Sequence, residues 1–382
     1  MMNNEAEVAK MRPENKEKIV VLRHRLHQNP ELSLQEKETI AILKAFLKEN
    51  TSLKIVDKDG WFYAVKQGTD EKAPIAFRAD MDALPIEEGL DLPYASQNPG
   101  VSHKCGHDGH CAALCGLGLE LDQIAADRTV YLLFQPAEEI GEGAKRCAAL
   151  LSEKQISETY AFHNYSGYPE GAIVYRRGLT QPASEGLTLR FVGKQSHASA
   201  PEEGRNPASS IAETALYAQS LTQECHKGMV LCTIVGMTVG SGDFGISPGE
   251  GTLQMTLRAE REAEMKEMET SILEYASWQA AVDGLTLHSE IRDDFPETRN
   301  HDQALEKVLR CGEKLGFSVR EMEELWRASE DFGQYLKVCP GAMIYIGNGE
   351  TYPALHTREY DFNDKILPTA VDLFLALATC SE

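Results

Sequence analysis

The sequence predicts an α/β protein: a mostly parallel-sheet domain with helices on both faces, interrupted by a smaller ferredoxin-like βαββαβ unit. Three observations predict it. Apolar runs such as APIAFRAD and TVYLLFQ alternate with helical patterns, and strands apolar on both faces belong to sheets covered on both sides. Around Ala183 the order changes to strand, helix, two strands, helix, strand, which is the order of a ferredoxin-like unit. After Pro296 the earlier kind of signal resumes. The predicted division is 1–183 with 293–382 as one domain and 184–292 as the other, and two domains is the natural prior for 382 residues.

Element by element, ENKEKIVVLRHRLHQNP places apolar residues at helical spacing and stops at Pro30, and LQEKETIAILKAFLKEN forms a second helix. His24 and His27 on the first helix read as surface or satisfied histidines. The polar break LHQNPELS leaves a site-facing loop open. WFYAVKQG is a strand, and APIAFRADMDALP is a strand ending in Asp80 and Asp82. GHCAALCGLGLELDQIA is a helix, and TVYLLFQPAEE is a strand ending in Gln135, Pro136, Glu138 and Glu139. GAKRCAALLS reads as one helix, TYAFHN as a short strand ending in His163, and GAMIYIGNG as a strand followed by His356. In parallel sheets, sites form beyond the carboxyl ends of the strands, and residues of metal-ligand type gather at these ends. In the insert, SEGLTLRFVGKQSHAS, MVLCTIVGMTVG, GTLQMTLRAE and LTLHSEIRDDF supply strands. NPASSIAETALYAQSLTQEC and AEMKEMETSILEYASWQAAVD supply helices.

A formal net charge of -21 makes nucleic acid and anionic membrane poor partners. No run approaches the ~18 apolar residues of a membrane span. MMNNEAEVAK has no apolar region of the signal-peptide kind. Nine cysteines without a secretion signal predict reduced thiols and a cytoplasmic location.

The chemistry concentrates in HKCGHDGHC, His103 to Cys111. Cys105 and His107 are two apart, which in extended backbone puts both on one side. A thiolate with an imidazole suits Zn, Mn, Co or Ni. A thiol redox role is the rival for Cys105, but no resolving cysteine follows at the usual spacing. Cys111 and Cys115 read as packing, and His110 as a support. Glu138 and Glu139 are adjacent carboxylates that a dry site accepts only beside a cation. One can then ligate while the other takes a proton from the attacking water. Cys105, His107, one Glu, His163 and His356 give five ligands, too many for one tetrahedral zinc and a reasonable number for two ions.

RADMDALP, HKCGHDGH, LLFQPAEE, AFHN, GKQSHASAP, ASEDFGQY and ALHTREYDF occur in that order. Together they resemble the aminoacylase and carboxypeptidase family of two-metal peptidases, and within it the amidohydrolase branch. The resemblance implies Cys105, His107, Glu139, His163 and His356 as metal ligands and Glu138 as general base. It implies that Asp82 orients a ligand or the site. It makes the insert a lid and homodimerisation domain, with His197 at the oxyanion and Asn206 near substrate. Asn206 also reads as a helix cap ahead of Pro207. Two positions depart from relatives: Glu202 follows Pro201 where many have His, and Gln254 stands in GTLQ where auxin-type relatives have Arg. Arg258, four residues on and on the same strand face, can grip a carboxylate instead. The expected activity is hydrolysis of an amide in N-acyl amino acids or related small amides, with two divalent ions. The alternatives are a dipeptidase or carboxypeptidase using the same site, and a non-catalytic metal-binding paralogue.

Overall fold

Strand Lys72–Asp80 sets the frame of the larger unit, and its last six residues are all buried. It lies between Arg128–Gln135 and Glu158–Ser166, parallel to both, and Gly341–Gly349 runs parallel on the far side of Glu158–Ser166. The computed structural model describes residues 10–70 and 72–380; the reading of residues 1–9 as free of a signal segment lies outside them. The full sheet has the order Lys54–Asp57, Phe62–Lys66, Arg128–Gln135, Lys72–Asp80, Glu158–Ser166, Gly341–Gly349, Ile173–Tyr175, Val319–Glu321. Its centre is parallel, and antiparallel pairs appear toward the edges, at Phe62–Lys66 and at Ile173–Tyr175. The expected mostly parallel α/β sheet is therefore what forms.

The helix His107–Asp122 is buried round its whole circumference down to Leu121, which is why its sequence is Ala, Leu, Cys and Gly rather than an amphipathic stripe. Gly109 lies so close to Phe362 that a β-carbon there would sit 2.3 Å from the ring. Helices Pro13–Gln28, Lys37–Asn50 and Leu367–Thr379 pack around it. Cys111 and Cys115 are buried within the same core, as packing residues.

Two expectations need correction. GAKRCAALLS is not one helix; it divides at Ala148 into Gly143–Cys147 and Ala149–Glu153. The strand carrying His163 does not end there but runs on to Ser166, because Gly341–Gly349 continues to pair with it.

The second unit comprises Gln181–Glu297 with Trp326–Ser329. Its sheet has the order Val230–Val239, Glu250–Ala259, Ala183–Val192, Thr286–Phe295, with every neighbouring pair antiparallel. Helices Ala208–Leu221 and Glu262–Val282 pack on it over a core of Leu187, Leu189, Phe191, Leu253, Met255 and Leu257. That is the ferredoxin-like arrangement. The division 184–292 left out Trp326–Ser329, which groups here because Ser329 Oγ bonds Ser184 Oγ at 2.5 Å and accepts from Arg258 Nη2 at 3.2 Å.

Candidate metal centre

The turn Cys105-Gly106-His107 enters the central helix. Gly106 takes φ 98°, the left-handed region, and a β-carbon there would lie 2.5 Å from Asn164 Oδ1. Cys105 and His107 therefore do not share a side of an extended strand, as their spacing suggested; a left-handed turn that only glycine makes cheaply brings them together. The donor atoms of Cys105, His107 and His163 lie within 4.8 Å of one another, as do those of Cys105, Glu139 and His356, and of His107, Glu138 and Glu139.

Hydrogen bonds on the outer ring nitrogens fix which nitrogens face the cluster. His107 Nδ1 donates to the Asp82 carbonyl at 2.9 Å, and His163 Nδ1 to the Asn164 carbonyl at 2.8 Å. Their Nε2 lone pairs are thereby turned inward, the tautomer a metal-binding histidine needs. His163 Nε2 and His356 Nε2 each lie 3.3 Å from Cys105 Sγ, and one thiol proton cannot serve both. Glu139 Oε1 is 3.7 Å from His107 Nε2, and Glu139 Oε2 is 3.8 Å from His356 Nε2. Asp82 links the ligands: its Oδ2 accepts from Ser33 Oγ at 2.7 Å and from Glu139 N at 2.9 Å.

His107 Nε2, Asp82 Oδ1 and Glu139 Oε1 are buried without a hydrogen-bond partner. Buried polar atoms are nearly always paired; His107 Nε2 and Glu139 Oε1, 3.7 Å apart, fit a divalent cation between them, whereas Asp82 Oδ1 lies on the other side of the ring, 3.4 Å from His107 Nδ1. Thiolate, imidazole and carboxylate together suit Zn, Mn, Co or Ni.

The field agrees. Burial pulls the His107 imidazolium down, yet the carboxylates of Asp80, Asp82 and Glu139 reverse this and hold it at about 10. Burial, with Asp82 and Asp80 beside it, pushes Glu139 up to about 7 against the pull of His107. Glu138 is raised by burial and then by Glu330, Asp331 and Glu139. Cys105 is raised by burial and then by Glu139, Glu138 and Asp80. Burial is the largest cause for the three acids, and the neighbouring carboxylates add to it; a cation bound there would offset the carboxylate share.

Against known families, residues 76–379 match the model of peptidase family M20/M25/M40. The chain belongs to that family. The hippurate hydrolase of Campylobacter jejuni is 30% identical over 366 residues, covering 94% of each chain. The N-acetylcysteine deacetylase of Bacillus subtilis is 27% identical, covering 94% of this chain and 96% of its own. Among solved structures, the Bacillus subtilis YXEP protein, a dinuclear metal binding peptidase from the M20 family, superposes with a TM-score of 0.81 at 25% identity, covering 96% of this chain and 98% of that one.

Within this M20 chain, Asn164 and Glu36 around the centre escaped the sequence reading, which does single out Asp80, His110 and the LHQNPELS break. Asp80 accepts from His110 Nδ1 at 2.6 Å, and His110 Nε2 meets Asn164 Oδ1 at 2.6 Å. Asn164 also donates to the Cys105 carbonyl at 3.1 Å. The break LHQNPELS does reach the centre, through Ser33. Glu36 accepts from Ala137 N at 2.7 Å, beside the two glutamates. The hints were the DMD and HDGH repeats, which carry more acidic and imidazole groups than five ligands use.

The remaining predicted residues belong to the second unit. His197 is exposed on the two-residue strand Ser196–His197, paired with Ile246–Ser247. Its Nδ1 accepts from Ser199 N at 3.1 Å, which puts the ring proton on Nε2. Asn206 Oδ1 accepts from Ala208 N at 2.9 Å just ahead of Ala208–Leu221, but the N-cap is Pro207, so Asn206 stands one residue before the cap and not at it as predicted. Arg258 is half-buried, its Nη2 donating to Ser329 Oγ at 3.2 Å, with no carboxylate partner among the described residues, and its Nε is buried and unpaired. Burial lowers its pKa from the usual value.

Proposed function

We propose that this M20 chain is a metal-dependent hydrolase of the amide bond in N-acyl amino acids or related small amides. Two divalent ions would be held by Cys105, His107, Glu139, His163 and His356. The observation that carries this reading is the convergence of the unpartnered His107 Nε2 and Glu139 Oε1 atoms beside a second buried carboxylate, Glu138. Bound there, the ions supply Lewis-acid polarisation of a carbonyl and lower the pKa of water.

Glu138 takes the proton of the attacking water and passes it to the leaving nitrogen. Its Oε2 lies 3.9 Å from His107 Nε2, and burial with the neighbouring carboxylates favours holding a proton between the two transfers. Asp82 keeps His107 and Glu139 in register through its carbonyl and carboxylate. His197, with its proton on Nε2, donates to the oxyanion as the amide carbonyl becomes tetrahedral. Arg258, a cation without an internal anion, grips the free carboxylate of the amino-acid moiety. Asn206 as a substrate contact has less support, since its carbonyl oxygen is engaged by Ala208 N.

The larger unit thus acts as the catalytic domain and the second as lid and dimerisation domain. A homodimer through the second unit is supported by its edge strand Val230–Val239, where Val235 and Met237 are more than half exposed. A cytoplasmic setting is supported by nine free cysteines. The family's peptidase description favours a second reading, cleavage of dipeptides at the same site.

Glu138→Gln tests the mechanism. Metal content should stay at the wild-type level while turnover falls by about 10²–10⁴-fold; unchanged turnover removes Glu138 as the base. Initial rates on N-acetyl amino acids, hippurate and dipeptides separate the two substrate readings.

A further inference from the structure

The motif ASEDFGQY contributes Glu330 and Asp331, which the reading above leaves without a task. Both are buried at about the level of the core, along with Arg78 and Gln135. Asp331 Oδ1 accepts from Arg78 Nη2 at 2.9 Å and from Gln135 Nε2 at 2.8 Å. Asp331 Oδ2 accepts from Gln135 Nε2 at 2.9 Å and from Ala144 N at 2.8 Å. Gln135 ends the strand before Glu138, and Ala144 lies in the helix after it. One carboxylate therefore ties down both flanks of the turn that carries Glu138. The main-chain N–H of the same residue donates to Glu138 Oε1 at 3.3 Å.

That turn needs holding. Ala137 sits at φ 51°, a left-handed conformation for a residue with a β-carbon, which costs on the order of 1–3 kcal/mol unless its surroundings enforce it. Glu330 completes the brace, its Oε1 accepting from Arg78 Nη2 at 3.0 Å and from Phe332 N at 2.9 Å. Glu138, Glu330 and Asp331 are close enough to suggest a cation site of their own, but Arg78 already fills that role. Its guanidinium reaches Asp80 at 2.7 Å as well as Glu330 and Asp331.

We propose that Asp331, braced by Glu330, Arg78 and Gln135, is a positioning residue that fixes the Glu138 carboxylate for proton transfer. The proposal rests on the reading of Glu138 as the base. Every partner of the Asp331 carboxylate is a donor, so an amide in its place must turn an N–H toward another N–H and release one flank of the turn.

The test compares Asp331→Asn, Glu138→Gln and the double variant, each with metal content, kcat and KM measured. Asp331→Asn should retain wild-type metal content and lose roughly 10- to 100-fold in kcat, the scale of a misplacement near 1 Å. Its KM should stay within about twofold of wild type. The double variant should be no slower than Glu138→Gln alone, because both changes act through one group. If Glu138→Gln is inactive but Asp331→Asn keeps full kcat, the positioning role falls and the function stands. If the two losses multiply, Asp331 acts elsewhere and the proposal falls. An active Glu138→Gln overturns both. Should Asp331→Asn fail to fold by circular dichroism, Glu330→Gln carries the same measurement, and an unchanged kcat there overturns the brace.

Discussion

Two buried ionic assemblies in the larger unit, separated by a single residue, solve the same problem in opposite ways. His107 faces Cys105, His163, Glu138 and Glu139, where His107 Nε2 and Glu139 Oε1 are left without partners. Asp108, the next residue, joins a cluster that brings its own cations. Arg23 binds Asp361 at 2.7 Å, Asp364 at 2.8 Å and Asp108 at 3.4 Å. His27 binds Asp108 through Nδ1 at 2.8 Å and Glu88 through Nε2 at 2.9 Å, and Lys104 meets Glu88 at 2.5 Å. Both rings of contacts hold carboxylates; the second carries the buried cations Arg23 and Lys104, while the carboxylates of the first are met by the His107 imidazole. The difference is that between a cluster compensated from within and the proposed metal site.

The comparison can be broken by experiment. Chelation acts on the first assembly alone. Turnover should fall by at least ~10³-fold, the several kcal/mol that bound cations contribute to charge stabilisation, and return on adding back Zn, Mn, Co or Ni. Activity that persists after dialysis against chelator would make the first assembly structural too. The second assembly should respond to loss of its own cation. Arg23→Met strands Asp108, Asp361 and Asp364 around an apolar side chain, and urea unfolding should show a loss of about 3–5 kcal/mol. A loss below about 1 kcal/mol would mean those carboxylates are compensated elsewhere.

A smaller effect comes from pH. Burial pulls the His27 imidazolium down, but its hydrogen bonds to Asp108 and Glu88 outweigh this and hold it at about 9 against an ordinary 6.5. A folded-state value raised above the unfolded one contributes stability in full below pH 6.5 and loses it as pH rises through about 9. Stability should therefore fall by up to about 3 kcal/mol between those limits. In His27→Gln the slope over that window should flatten; an identical slope would assign the titration to another group.

The sequence made the scaffold legible because its strands are apolar on both faces. APIAFRAD and TVYLLFQ could be nothing but covered strands, and the helix beginning at His107 announced its burial through Ala, Leu, Cys and Gly. The candidate donor types were legible too, since the adjacent Glu residues follow a strand end, His163 lies toward the carboxyl end of another strand, and Cys105 and His107 stand at a helix start. The geometry that joins them was not. Gly106 and Ala137 take left-handed conformations that periodicity cannot see, and His356 does likewise at φ 61°. The counter-charges were hidden for another reason. Arg23 meets Asp361 across nearly the whole chain, so nothing near His27 marked it as an ionised core residue. Glu330 and Asp331 were visible as a motif but had no role until Arg78 and Gln135 stood beside them.

One feature of the second unit bears on how the chain assembles. Its first and last long strands, Ala183–Val192 and Thr286–Phe295, are direct antiparallel neighbours, with Ser184 opposite Phe295. The excursion thus leaves and returns at one strand spacing, about 5 Å. The central sheet of the larger unit must join Glu158–Ser166 to Gly341–Gly349 across that excursion. Once the insert has folded, the pairing of Ser184 with Phe295 takes residues 185–294 out of the connection between those two strands. The entropy of closing the parallel pair falls accordingly, so a slow, non-local pairing acquires the closure cost of a nearer one.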